Sequence, residues 1–132
     1  MEDNESTMTY EECGAMLDKI ADSLPTELFR ELNGGIVLRD EERLHPLAQD
    51  DDLYILGVYT RDSLGRSIKI YYGSIIRVFP HKTQEEYREI LRKTLVHEVR
   101  HHNEFLAGAD DLVYYDDDQI SKYLRRKGFT IK

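Results

Sequence analysis

Cysteine is nearly absent. Cys13 is the one thiol in 132 residues, so no disulfide can form within the chain and nothing calls for an oxidising compartment. Positive charge is in short supply as well, with 18 Lys and Arg against 26 Asp and Glu and a formal charge of −8. That balance leaves no broad basic surface to displace counterions from a nucleic acid, and no nucleic-acid partner is expected. No apolar run is long enough to span a bilayer, and no secretory leader is legible, so the expectation is a cytoplasmic protein without a membrane partner. Repeats and low-complexity tracts are missing too. The run Asp50-Asp51-Asp52 lacks the alternating ligands and glycine of a calcium loop, which leaves turn formation and solvation as its roles.

What is present reads as one domain of modest core. The acidic opening has nothing to bury, and residues 1–8 are expected to be disordered, with 9–132 a single domain. Thr9 and Glu12 fit a capping box ahead of Cys13, Met16, Leu17, Ile20 and Leu24 at helical spacing, which predicts a helix from about Tyr10 to Ser23. Cys13 lies on that stripe as a small core residue. Pro25 stops the helix or opens a short second one through Leu32, and Asn33-Gly34-Gly35 suits a helix stop. Ile36–Leu38 is a short strand candidate, and Arg39–Asp52 is a charged loop holding an isolated His45. Leu53–Thr60 and Ser67–Tyr72 read as strands of an antiparallel hairpin, with Gly57 marking a bulge or a close approach. Ser74–Phe79 either extends the second strand or forms a further short element, and Pro80 ends it. Beyond Gly108, Asp116 is a plausible N-cap for a last helix through Lys127, stopped by Gly128.

The most informative stretch lies between. Thr83 and Glu86 form a second capping box, and no Pro or Gly follows until Gly108, so one long helix carries His97, Glu98 and His101 in the pattern H-E-x-x-H. Residues at i and i+4 sit one turn apart on one face, where both imidazoles can reach a single ion. Zinc takes imidazole nitrogen readily, and a catalytic zinc keeps three protein ligands and an open position for water. Glu98 is placed to take a proton from that water. Tyr87, Ile90, Leu91, Leu95, Val99 and Leu106 form one apolar arc, with His97 and His101 at its edge and His102 turned into it as a hydrogen-bonded packing residue. The motif supplies two ligands and a base, and a third ligand has to come from elsewhere. Glu104 falls near His97 by angle, yet on a straight helix its Cα is about 10 Å away. It suits an orienting role on an imidazole N–H equally well.

A small sheet, a capped helix, T-L-V-H-E-x-x-H-H and then Gly followed shortly by Asp resemble the short bacterial zincin-like metallopeptidases, the minimal zincins. In that family the helix commonly runs H-E-x-x-H-H-x-G-x-x-D, and the two histidines and the final Asp are taken to bind zinc. His97, Glu98, His101 and His102 match directly, and Gly108 and Asp111 keep the Gly-x-x-Asp spacing. The Gly comes four residues later than in the usual pattern, which leaves Asp111, Asp110 and Glu104 as candidates for the third ligand, Asp111 foremost. The resemblance implies an α+β fold in which a small, mostly antiparallel or mixed sheet packs on the HExxH helix, with N-terminal and C-terminal helices. It also implies a zinc-dependent peptidase acting on peptide or protein substrates along a sheet edge, which the Leu53–Thr60 or the Ser67–Tyr72 strand would supply. A Tyr114 or Tyr115 hydroxyl is a weaker candidate for stabilising the oxyanion. Two other classes stand beside this one: a zinc- or partner-binding domain with little or no peptidase activity, and zinc-dependent hydrolysis of something other than a peptide bond.

Overall fold

The computed structural model describes residues 7–48, 53–63 and 65–108. Helix α1, Tyr10–Ser23, has the expected bounds because both ends are chemically marked. Thr9 Oγ1 accepts the Glu12 N–H at 3.1 Å while Glu12 Oε1 accepts the Thr9 N–H at 2.9 Å. At the other end, Leu24 precedes a proline and is extended, so the helix cannot continue through it. Cys13, Met16, Leu17 and Ile20 are buried along one face. Met8, expected to belong to a disordered terminus, is instead fully buried, and its carbonyl accepts the Tyr72 hydroxyl at 2.6 Å. The chain is therefore anchored one residue ahead of the Thr9 cap, because an apolar side chain just outside a helix can pack back onto the core.

A single 3₁₀ turn, Thr26–Phe29, follows Pro25. Strands β1 (Gly35–Arg39), β2 (Gly57–Asp62) and β3 (Gly65–Tyr71) form one mixed sheet in the order β1-β3-β2, with β1 parallel and β2 antiparallel to β3. The hairpin of β2 and β3 is the one expected, but β2 begins at Gly57 rather than Leu53. Tyr54 makes only an isolated bridge to Leu44. Being central, β3 has no free edge, so the expectation that Ser67–Tyr72 could receive a substrate strand is corrected: among the described residues β2 is the outer strand on that side.

Ser74–Phe79 does not extend β3. Helix α2, Tyr72–Val78, takes its place, and it buries Ser74 and Ile75. Branched residues favour strands only where a sheet is there to receive them, and here packing overrides that preference. A Cβ on Gly73 would stand 2.6 Å from the Glu41 carbonyl carbon, so only glycine lets the charged loop lie against this helix. Ser74 Oγ then accepts the Arg43 N–H at 2.8 Å.

Helix α3, Gln84–Leu106, lies with α1 on the face of the sheet that carries Ile68 and Ile70. Ile68, Ile70, Ile75, Tyr87, Leu91 and Leu95 are all fully buried there. Residues 109–132 lie outside the described residues, and with them the expected last helix. Residues 1–6 lie outside as well.

Candidate metal centre

Three anchors hold α3. Its start is fixed by the second capping box, with Thr83 Oγ1 accepting the Glu86 N–H at 3.0 Å and Glu86 Oε1 accepting the Thr83 N–H at 2.9 Å. The Thr83 N–H also holds the Glu86 carboxyl below its ordinary range. One turn in, the buried Tyr87 donates its hydroxyl to the Phe79 carbonyl at 2.7 Å. Midway, Gly57 of β2 approaches so closely that a Cβ there would stand 2.8 Å from the Thr94 methyl.

Past that contact the helix is bound on two sides. His102, fully buried, joins Tyr59 Oη at 2.7 Å through Nδ1 and the Arg30 carbonyl at 2.7 Å through Nε2. A carbonyl only accepts, so Nε2 carries the proton and Nδ1 accepts from the tyrosine. Burial pushes the Tyr59 hydroxyl above its usual range, against the opposing pull of Arg66 and Arg61, which keeps it a donor. Next to it, Asn103 donates to the carbonyls of Leu28 and Val99 at 3.0 and 2.9 Å, and Arg30 donates to Asn103 Oδ1 at 3.0 Å. His102 is the packing residue that its angle on the helix implies.

On this framework His97 Nε2 and His101 Nε2 meet at 3.0 Å, their rings nearly perpendicular. Two imidazole nitrogens on one tetrahedral zinc are separated by about 3.3 Å, given bonds of roughly 2.0–2.1 Å. The pair thus needs only a few tenths of an ångström of adjustment to share an ion. Glu98 is 6% exposed and His101 is 4% exposed. Glu98 lies one turn after Thr94 and one turn before His102, the residues that meet Gly57 and Tyr59, so it occupies the β2 side of the helix.

Hydrogen-bond partners set the proton positions. Glu104 Oε1 stands 3.3 Å from His101 Nδ1, while its Oε2 is 3.9 Å from Arg100 Nε. A carboxylate at Nδ1 holds the proton there and leaves Nε2 bare for a metal. His97 is arranged the other way: Arg100, which can only donate, is 3.3 Å from its Nδ1. Its Nε2 therefore carries the proton and donates to His101. Sharing an ion requires His97 to move that proton to Nδ1 and give up the Arg100 contact.

Of the sequence-derived residues, His97 and His101 are brought into contact, and Glu98 is buried on the same helix. Glu104 stands at Nδ1 of His101, the ring nitrogen that does not meet His97. Asp110 and Asp111, like Tyr114 and Tyr115, lie outside the described residues, and among the described residues no group of three His, Cys, Asp or Glu side chains is gathered for a metal. His45 stands apart. It is buried in its loop, accepts the Leu47 N–H at 2.9 Å through Nδ1, and has its pKa lowered by desolvation. Tyr59, Arg61 and Arg100 are not singled out by the sequence motifs. The first two were detectable, since Gly57, Tyr59 and Arg61 alternate along one strand and must share the face that Gly57 turns to α3.

No helix among the described residues is long and apolar enough to cross a membrane. No curated protein matches the chain. Among solved structures, a conserved hypothetical protein from Thermus thermophilus is similar, with a TM-score of 0.66 and 28% sequence identity over 77% of this chain and 100% of its own. Residues 36–120, from β1 through the whole histidine-bearing helix, match the model of a family described as zincin-like metallopeptidase, and the chain belongs to that family.

Proposed function

We propose that this protein is a zinc-dependent peptidase, with His97 and His101 as two metal ligands, Asp111 or its neighbour Asp110 as the third, and Glu98 as general base. The observation that carries the reading is the 3.0 Å meeting of the two Nε2 atoms beside the buried Glu98. Imidazole pairs with a carboxylate are the donor set that catalytic zinc takes, and when bound it supplies the polarisation that makes water nucleophilic at neutral pH.

The chain's own residues do the rest. Glu98 accepts the proton of the attacking water and returns it to the leaving amine, a role that needs a carboxylate facing both the water and the peptide. Its position on the β2 side suits that requirement, because among the described residues β2 is an outer strand, and an extended peptide can pair with such an edge. Glu104 keeps the His101 proton on Nδ1, and Tyr59 through His102 fixes how far β2 stands from the helix.

The test is metal content and peptide cleavage together. Protein reconstituted with zinc is expected to hold about one zinc per chain, to lose it with His101→Ala, and to keep it with Glu98→Gln while cleavage falls at least about 100-fold, the usual worth of a general base. Whichever of Asp111→Ala and Asp110→Ala also loses zinc names the third ligand. Undiminished cleavage by zinc-loaded Glu98→Gln protein overturns the mechanism.

A further inference from the structure

The face of the sheet turned away from α3 carries a cluster that the metal centre does not use. Side chains alternate along a strand, so with Ile68 and Ile70 packed in the core, Ser67 and Lys69 of β3 project from the opposite face. Lys69 is the register partner of Val37 on one side and of Val58 on the other. A lysine in the middle strand, between two valines, is not what a sheet prefers. Thr60 of β2 lies opposite Ser67, and their hydroxyl oxygens are 2.9 Å apart. Lys69 Nζ donates to Thr60 Oγ1 at 3.1 Å and to Ser67 Oγ at 3.5 Å. The polar atoms close a triangle that spans β2 and β3, and each of its side chains is half-buried.

The triangle is rich in donors. An ammonium and two hydroxyls bring more polar hydrogens than the two hydroxyl oxygens can accept, and the only further acceptor they meet is the Ser67 carbonyl, 3.5 Å from Thr60 Oγ1. In a chain with 26 acidic and 18 basic residues, a carboxylate would be the ready partner for Lys69. Among the described residues none forms an ion pair with it, Asp62 included, although Asp62 lies two residues beyond Thr60 on the same face. Positive charge is added toward Tyr71, the next residue of that face, where the Arg43 guanidinium carbon is 5.9 Å from the ring centroid. Arg39, across from Tyr71, is balanced by Glu41 at 3.3 Å.

We infer that Lys69, Thr60 and Ser67 form a binding site for a phosphoryl group on the face of the sheet opposite α3. A phosphoryl group carries roughly −1.5 to −2 charges at neutral pH and presents three strong acceptor oxygens, one for each corner of the triangle. A carboxylate has only two. Hydroxyl protons rotate to suit their acceptor, so those of Thr60 and Ser67 can turn from each other to the ligand. Ammonium and hydroxyl groups are common side-chain donors to phosphate. The ligand bridges β2 and β3 without touching the histidine-bearing helix, and the site does not depend on the peptidase reading.

The test is a titration of full-length, zinc-reconstituted protein with inorganic phosphate, read by backbone amide NMR shifts. Ionic strength is held constant, since salt screens the attraction. Residues 58–60 and 67–69 are expected to shift together and to saturate at about millimolar phosphate, the affinity of a few hydrogen bonds at a half-exposed site. Lys69→Gln should weaken binding by at least about ten-fold, the worth of one hydrogen bond to a charged group. Thr60→Val with Ser67→Ala repeats the test without touching the charge, and valine suits a strand as well as threonine does. Acetate should bind more weakly than phosphate. Phosphoserine separates the sources: tighter binding than inorganic phosphate assigns the site to a phosphate monoester, and equal or weaker binding assigns it to the free ion. Phosphate can also meet zinc, so His101→Ala protein is titrated alongside, and the shifts on β2 and β3 must persist in it. Shifts confined to the histidine end of α3, no saturable shift at all, acetate bound as tightly as phosphate, or undiminished binding by Lys69→Gln overturns the site. A lower melting temperature in Lys69→Gln with phosphate binding intact likewise overturns it, and makes Lys69 a strut between the two strands.

Discussion

Replacing Tyr59 by Phe removes one oxygen from the contact that ties β2 to α3. Tyr59 donates to Nδ1 of His102, a residue with no exposed surface. The imidazole has no other tautomer to retreat to, because Nε2 must keep its proton for the Arg30 carbonyl at 2.7 Å. Moving the proton to Nδ1 would set two acceptors against each other. Nδ1 is left buried without a donor, which costs about 1–3 kcal/mol. For a domain of this size each kcal/mol shifts Tm by about 3–5 °C. The phenyl ring keeps its packing against His102 and Phe105, whose centroids are 5.2 and 6.5 Å away, so little of the loss comes from contact area. Urea unfolding should show a lower midpoint at unchanged slope. In a double-mutant cycle with His102→Asn the two losses should fail to add by at least about 0.5 kcal/mol. A Tyr59→Phe protein within about 0.3 kcal/mol of wild type, the range of an inert surface change, would refute the account of this bond as the strut between strand and helix.

Glu104→Gln should weaken zinc binding by about 10–100-fold, as loss of an orienting carboxylate does, while leaving thermal stability near wild type because Glu104 is partly exposed; a chelator competition assay measures it, and unchanged affinity would remove Glu104 from the site. Gly57→Ala forces a methyl to within 2.8 Å of Thr94 Cγ2 and 3.1 Å of Ile70 Cδ1, and should cost about 1–3 kcal/mol by overpacking in a urea titration. A neutral result there would mean that β2 is free to shift on α3. Burial raises the Cys13 thiol from 9.0 to about 12, so the native state holds its proton longer than the unfolded chain does. Its contribution to stability is complete below about pH 9 and falls as pH rises toward 12, and the half-buried Tyr72 hydroxyl shifts in the same direction. Urea midpoints should therefore decline through the alkaline range, and Cys13 should react with a thiol reagent only as the protein unfolds; rapid labelling of the native protein would contradict its burial.

Features decided within a few residues of chain were legible in the sequence. The two capping boxes, Thr9 with Glu12 and Thr83 with Glu86, are local hydrogen-bond exchanges, and both helices begin where those residues stand. Helical periodicity was enough to place His97 and His101 on one side of α3 and to turn His102 inward, because four residues return the chain nearly to the same face. Tertiary structure decided what depends on partners distant in sequence. Ser74–Phe79 has the composition of a strand, and it became helical because Ile75 had a core to enter. Met8 looked like the tail of a polar terminus until α2 supplied the Tyr72 hydroxyl that holds it. Glu104 was ambiguous by angle alone, and the fold placed it at the outer nitrogen of His101. The contacts of Tyr59 with His102 and of Arg61 with Phe105 each cross about 43 residues of sequence. No local propensity encodes such contacts, since they exist only once β2 has been laid along the helix and Gly57 has let it come close.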